Sequence, residues 1–188
     1  NEMFLYRTIE DIVNNIEADT EIIAILDGYW PTPVINDHER VIIVHHTIPI
    51  GQRAATNEGA RISQAKYVMK LDAHCAFDKG FDRKLIEDMR DDWTVVPTMR
   101  NLWAFDWKCY KCGKRVYQDK KNICSCGHKM KKKMVWIGKS NPQSNSYCFD
   151  SEPHFQYFNE YTKRPEYQEQ LKSGLTETMS LQGSCFMM

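Results

Sequence analysis

A chain of 188 residues that is 42% hydrophobic and 12% aromatic can bury one real core and carry a small insertion. No apolar run approaches the roughly 20 residues that cross a bilayer. The opening NEMFLYRTIEDIV also lacks the basic-then-apolar order of a secretory leader, so a globular, cytoplasmic protein is expected. The 25 basic and 25 acidic residues cancel overall, but from Lys108 to Lys133 ten Lys/Arg accompany one acid, Asp119, leaving the rest of the chain anionic. Such a cationic module is either a solvated face or an anion-binding surface. The start on Asn1 and the stop on CFMM read as ends trimmed from something longer.

In chain order, Leu5, Ile9, Ile12, Val13 and Ile16 recur at helical spacing, and EIIAILD (21–27) is an apolar run short enough for a buried strand. PTPVINDHE breaks the pattern with two prolines, VIIVHH (41–46) reads as a β-branched strand, and residues 52–66 read as a helix rich in small side chains. YVMKLD is a third strand, Phe81, Leu85 and Met89 mark another helix, and WTVVP (93–97) closes a fourth strand. This alternation predicts parallel pairing with helices on both faces, and ligands in such sheets sit at the carboxyl ends of the strands. Asp27 and Asp72 both fall there. His45 and His46 end a strand and are read as structural, and residues 141–164, without periodicity, as a long loop region.

The segment YVMKLDAHC (67–75) runs from alternating apolar residues into Asp72 and His74. Residues i and i+2 share a face while the backbone stays extended, so carboxylate and imidazole can enter one crevice and hold a metal ion. A hydrogen-bonded histidine without metal is the plainer alternative.

A second, more specific pattern is Cys109-x2-Cys112, eleven further residues, then Cys124-x-Cys126, with a glycine after each pair. Two close thiolate pairs with glycine-assisted turns look like a zinc ribbon, and four protein ligands make such a zinc structural. The second pair is one residue tighter than the common form, which makes His128 a substitute for Cys124. Cys75, Cys148 and Cys185 have no comparable partner and are read as buried or idle. Trp103, Trp107 and Trp136 flank the ribbon, where indoles either seal an insertion onto its host or stack on a sugar or base.

LDAHC ends a strand, follows Asn57 of NEGA by fifteen residues and precedes the helix of FDKGFDRKLI. With ILDGYWP and SLQGSCFMM, it resembles the nucleotide-sugar-binding domain of GT-A glycosyltransferases. The likeness is to the inverting family 2, and LDAHC is most similar to the polypeptide N-acetylgalactosaminyltransferases. The resemblance covers residues 1–104 and resumes at 178–188. It implies an α/β, Rossmann-like GT-A sheet over 1–104 with its first strand missing. A zinc-ribbon insertion would follow over 105–135, and an acceptor-side region over 136–188, truncated at its end.

On that resemblance the chain is a metal-dependent hexosyltransferase moving sugar from a nucleotide-diphosphate sugar to an unknown acceptor, with a polyanion among the candidates. Asp27 would meet the nucleoside, Arg61 the diphosphate, and Asp72 and His74 a divalent cation, Mn²⁺ rather than Mg²⁺ because one ligand is imidazole. The chain has Thr56 where the family often has arginine, with Arg53 and Arg61 nearby. The late acidic motif that carries the catalytic base has not appeared by Met188. A zinc-ribbon nucleic-acid-binding protein, a transferase acting on nucleic acid, and a scaffold without metal are the alternatives.

Overall fold

The computed structural model describes residues 3–117, 123–142, 146–178 and 183–188. The chain divides into two compact units, Asn1–Pro97 with Leu181–Met188, and Thr98–Ser180. The boundaries expected from the sequence, at 104/105 and 135/136, fall inside two strands of the second unit.

In the first unit the apolar spacing after Phe4 becomes helix α1 (Leu5–Asn15), with Thr8, Ile9 and Ile12 buried. Strands β1 (Ile22–Asp27) and β2 (Val41–His46) pair in parallel from Ile22 opposite Val41 to Asp27 opposite His46. Alternation sends Ala24 and Leu26 into a cluster with Ile9 and Ile35, covered by α1. On the other face lies α2 (Gln52–Ile62). There a Cβ on Gly59 would come within 3.7 Å of Ile25, so the small residue sets the close approach of helix to strand. The expected strand pair with a helix on each face is therefore present.

The rest of this unit departs from the expected parallel order. Strand β3 (Met69–Leu71) pairs antiparallel with the C-terminal strand β9 (Cys185–Met187), and WTVVP contributes only a bridge from Val95 to Met187. The N–H and C=O of Val95 both bond Met187 at 2.8 Å, and Pro97 has no N–H with which to extend the ladder. Helix α3 (Phe81–Asp88) packs Leu85 with Met89 and Met187. Alternation along a strand reports burial and not direction, so the distant antiparallel partner was not readable locally.

The second unit is built on an antiparallel sheet in the order β5–β4–β6, formed by β4 (Arg100–Cys109), β5 (Arg115–Tyr117) and β6 (Met130–Pro142). Between Trp103 and Phe105 the register slips, since their partners are Ile137 and Met134. The surplus residue makes a bulge in which Trp136 has φ 58°, a left-handed conformation costly for a bulky side chain. Residues 141–164 are not one long loop. They carry the end of β6, the hairpin β7 (Tyr147–Phe149) and β8 (Phe155–Tyr157), and a 3₁₀ helix at Asn159–Lys163. Three-residue strands are too short to display a period. Helix α4 (Pro165–Ser173) follows, with proline at its first turn and Gly174 closing it at φ 83°. Among the described residues no helix is long and apolar enough to cross a membrane.

Candidate functional site

Asp27 stands at the carboxyl end of β1, as expected, and its carboxylate is already engaged. The N–H groups of Ile50 and Gly51 donate to its two oxygens at 2.6 and 2.9 Å, fastening the segment that leads into α2. Gly28, at φ 87°, makes room for this arrangement, since a Cβ there would lie 2.5 Å from Pro49 Cγ. Each carboxylate oxygen retains a further lone pair for a ligand donor. Beside it Trp30 stacks on His45 with ring centroids 4.7 Å apart, and His46 Nε2 meets Glu58 Oε2 of α2 at 2.5 Å. Both histidines are thus in structural contacts. Arg61 is exposed in the last turn of α2 and makes no hydrogen bond with Asp27 or Asp72.

Asp72 follows β3 directly and is partly buried. The Lys70 ammonium, on a side chain only 11% exposed, donates to Asp72 Oδ1 at 2.5 Å and also to the carbonyl of Gly183. Asp72 Oδ2 makes no hydrogen bond among the described residues. The backbone bends at Ala73 and His74, leaving His74 exposed, so the extended geometry that would align residues 72 and 74 ends at Asp72. Asp72 thus offers a cation one carboxylate oxygen, and the His74 imidazole lies exposed two residues further on. This donor set fits a divalent ion that takes its other ligands from diphosphate and water.

What holds that turn is a set of residues that sequence reasoning missed. The Thr8 hydroxyl donates to the carbonyl of Ala73 at 3.0 Å and accepts from the N–H of Cys75 at 3.0 Å. Asp11 accepts from the N–H of Phe77 at 2.7 Å. Asp82, 2% exposed, accepts from the N–H groups of Glu17, Ala18 and Arg83 and the hydroxyl of Thr20. Burial pushes its pKa up, but these donors outweigh burial and hold the carboxyl below its ordinary value. Burial also pushes the Cys75 thiol up to about 11 and Cys185 to about 12, consistent with two chemically idle thiols.

In the second unit the Sγ atoms of Cys109, Cys112, Cys124 and Cys126 lie within 4.8 Å of one another. The separations are 3.6 Å for Cys109–Cys126, 3.5 Å for Cys112–Cys124 and 3.6 Å for Cys112–Cys126. Four thiolates about 2.3 Å from a tetrahedral zinc would be about 3.8 Å apart. Each pair sits on a tight turn, with the N–H of Gly113 bonding Cys109 O and that of Gly127 bonding Cys124 O, and both glycines at positive φ. The N–H of Cys112 donates to Cys109 and lowers its thiol; that of Cys126 donates to Cys124 and lowers it to about 6. The N–H of His128 acts to lower Cys126, but sharing protons with Cys124 and its neighbours leaves that thiol raised to about 12. Such a cluster can hold a metal ion. His128 turns its Nδ1 to the carbonyl of Cys126 at 2.9 Å and its ring to the edge of Tyr110, so Cys124 and not His128 completes the cluster.

Asp27 and Asp72 thus stand at the carboxyl ends of strands in an α/β unit, where open α/β sheets bind their ligands. The profile of glycosyl transferase family 2 matches residues 1–187, and the chain belongs to that family. Membership carries the GT-A α/β fold and transfer of a sugar from a nucleotide-sugar donor. No curated protein and no solved structure matches the chain.

Proposed function

We propose that this chain is a hexosyltransferase whose donor is bound through a divalent cation, Mn²⁺ in preference to Mg²⁺, at Asp72 and His74. The observation that carries this reading is Asp72 itself, at the end of β3 with one oxygen held by Lys70 and the other open. A cation there would supply Lewis-acid neutralisation of charge on the departing nucleoside diphosphate. The protein's own contribution is positional. Thr8 and Asp11 fix the turn that bears His74, and Lys70 fixes the rotamer of Asp72. Asp27 accepts hydrogen bonds from the nucleoside with its remaining lone pairs, and Arg61 answers the diphosphate charge. The four thiols of residues 109–126 hold a structural zinc.

Calorimetric titration of uridine and guanosine diphosphate sugars, with and without Mn²⁺, tests the donor reading. Binding should require the cation and be lost in Asp72→Asn. Equal affinity in excess chelator would remove the metal from the site.

A further inference from the structure

The sheet of the second unit gathers like charges in a manner that its own stability does not explain. On β5, β4 and β6 the residues Arg115, Lys108 and Lys131 stand in one cross-strand row. In the next row Lys133 faces Asp106, whose carboxylate is taken by the Arg115 guanidinium. Like charges placed directly opposite in a sheet repel, and here one buried acid stands among four cations. Lys108, Lys131 and Lys133 are exposed.

The alternate positions of the same strands, which point to the opposite face of the sheet, carry rings. Trp103, Phe105 and Trp107 occupy successive same-face positions of β4, about 6.8 Å apart by strand geometry. Trp107 packs on the cysteine cluster, while Trp103 is 38% exposed and Phe105 partly so. Lysines lie over both rings, Lys132 Nζ 3.8 Å from the Phe105 centroid and Lys139 Nζ 5.5 Å from that of Trp103.

We propose that this sheet is a binding platform for single-stranded nucleic acid. Ring faces bordered by ammonium groups suit a ligand that alternates flat bases with phosphates: the bases stack on Trp103 and Phe105, Lys132 and Lys139 turn to the phosphates, and the cationic row on the opposite face adds only longer-range attraction. An acidic polysaccharide would satisfy the ammonium groups, but flat bases cover a ring face more fully than puckered sugars, which favours the nucleic acid. The inference does not rest on the donor chemistry, since no residue of the donor site takes part.

Fluorescence anisotropy on the full chain, with labelled DNA and RNA single strands of about 20 nucleotides and a polysulfated polysaccharide for comparison, decides it. Both oligonucleotides should bind at low salt and weaken steeply as salt rises. Replacing Lys132 and Lys139, the two lysines on the ring face, by alanine should weaken binding about tenfold or more and flatten the salt slope. Trp103→Ala should weaken oligonucleotide binding about fivefold or more while leaving the polysaccharide unchanged. Lys131→Gln with Lys133→Gln gives a milder charge test, and retained metal per chain confirms that each variant folds. No oligonucleotide binding at low salt overturns the platform, as does binding indifferent to the lysines. Equal binding of both polyanions with no effect of Trp103→Ala assigns the sheet to acidic polysaccharide instead. Asp72→Asn, which should abolish donor binding and spare oligonucleotide binding, separates failure of this inference from failure of the donor reading.

Discussion

In the first unit the buried clusters are aliphatic, with Ile9, Ala24, Leu26 and Ile35 in one and Leu85, Met89 and Met187 in another, stitched to loops by buried polar groups. In residues 98–180 a cluster of comparable burial consists of Cys109, Cys124 and Met130, two of its three members being thiols of the metal-type site. The contrast teaches where each unit takes its stability from. The first gathers aliphatic side chains, whose burial is worth about 25 cal/mol per Å², around carboxylate clamps. The second has a long, twisted β4–β6 ribbon whose end is closed by four sulfurs.

The largest effect that would sharpen this contrast is metal removal. Structural zinc in small ribbons contributes on the order of 10 kcal/mol to folding. A strong chelator, or Cys109→Ser with Cys112→Ser, should therefore deprotect the amides of β4 and β6 to hydrogen exchange and leave α1, β1 and β2 protected. Elemental analysis of untreated protein should find about one zinc per chain. Full protection of β4 and β6 in metal-free protein would show that sheet pairing alone holds the second unit.

Next in size is the carboxylate that ties α3 to the loop after α1. Asp82→Asn replaces an acceptor-only group with one that presents an amide donor to four donors, and should cost about 3 kcal/mol in urea denaturation at neutral pH. The sign of the pH dependence follows from the depressed pKa of Asp82 in the folded state. Its contribution is complete above the unfolded carboxyl value of about 3.9 and is lost as pH falls through the lower folded value. The variant should lose that part of the acid sensitivity. An unchanged acid profile would mean that other carboxylates govern acid unfolding of this unit.

These clamps also mark the limit of what the sequence discloses. The elements α1, β1, β2 and α2 were legible because apolar period maps directly onto burial. The cysteines were legible because thiolate spacing carries ligand chemistry by itself. Thr8, Asp11 and Asp82 were not, because each earns its role from a partner 62 to 67 residues away, and nothing in their neighbourhood distinguishes them from solvated residues. Asp27 was read correctly as a strand-end acid. Its hold on Ile50 and Gly51 depends on how the chain returns over β1, which Gly28 and Pro49 decide together. Nothing local in YVMKLD shows that Lys70 occupies the aspartate on which the donor reading depends.

Lys70 supplies the smallest and most discriminating test. Its ammonium donates to Asp72 Oδ1 and to the Gly183 carbonyl, so an ion arriving at Oδ2 meets a like charge across one carboxylate. At an effective dielectric between that of water and the protein surface, such repulsion amounts to a few kcal/mol, reduced by the partial exposure of Asp72. Opposing it, the same contact holds the carboxylate in place, and outer-shell partners of that kind usually raise metal affinity. Because Gly183 also anchors the ammonium, we expect repulsion to win. Lys70→Met keeps the buried methylene stem and removes the charge. Mn²⁺ affinity in the absence of donor should then tighten about tenfold, or about 1.4 kcal/mol, with Lys70→Arg remaining near the parent value. The measurement is a calorimetric Mn²⁺ titration of the three proteins. If Lys70→Met instead binds Mn²⁺ more weakly while unfolding at the parent's denaturant midpoint, Lys70 orients Asp72 for the ion and does not compete with it.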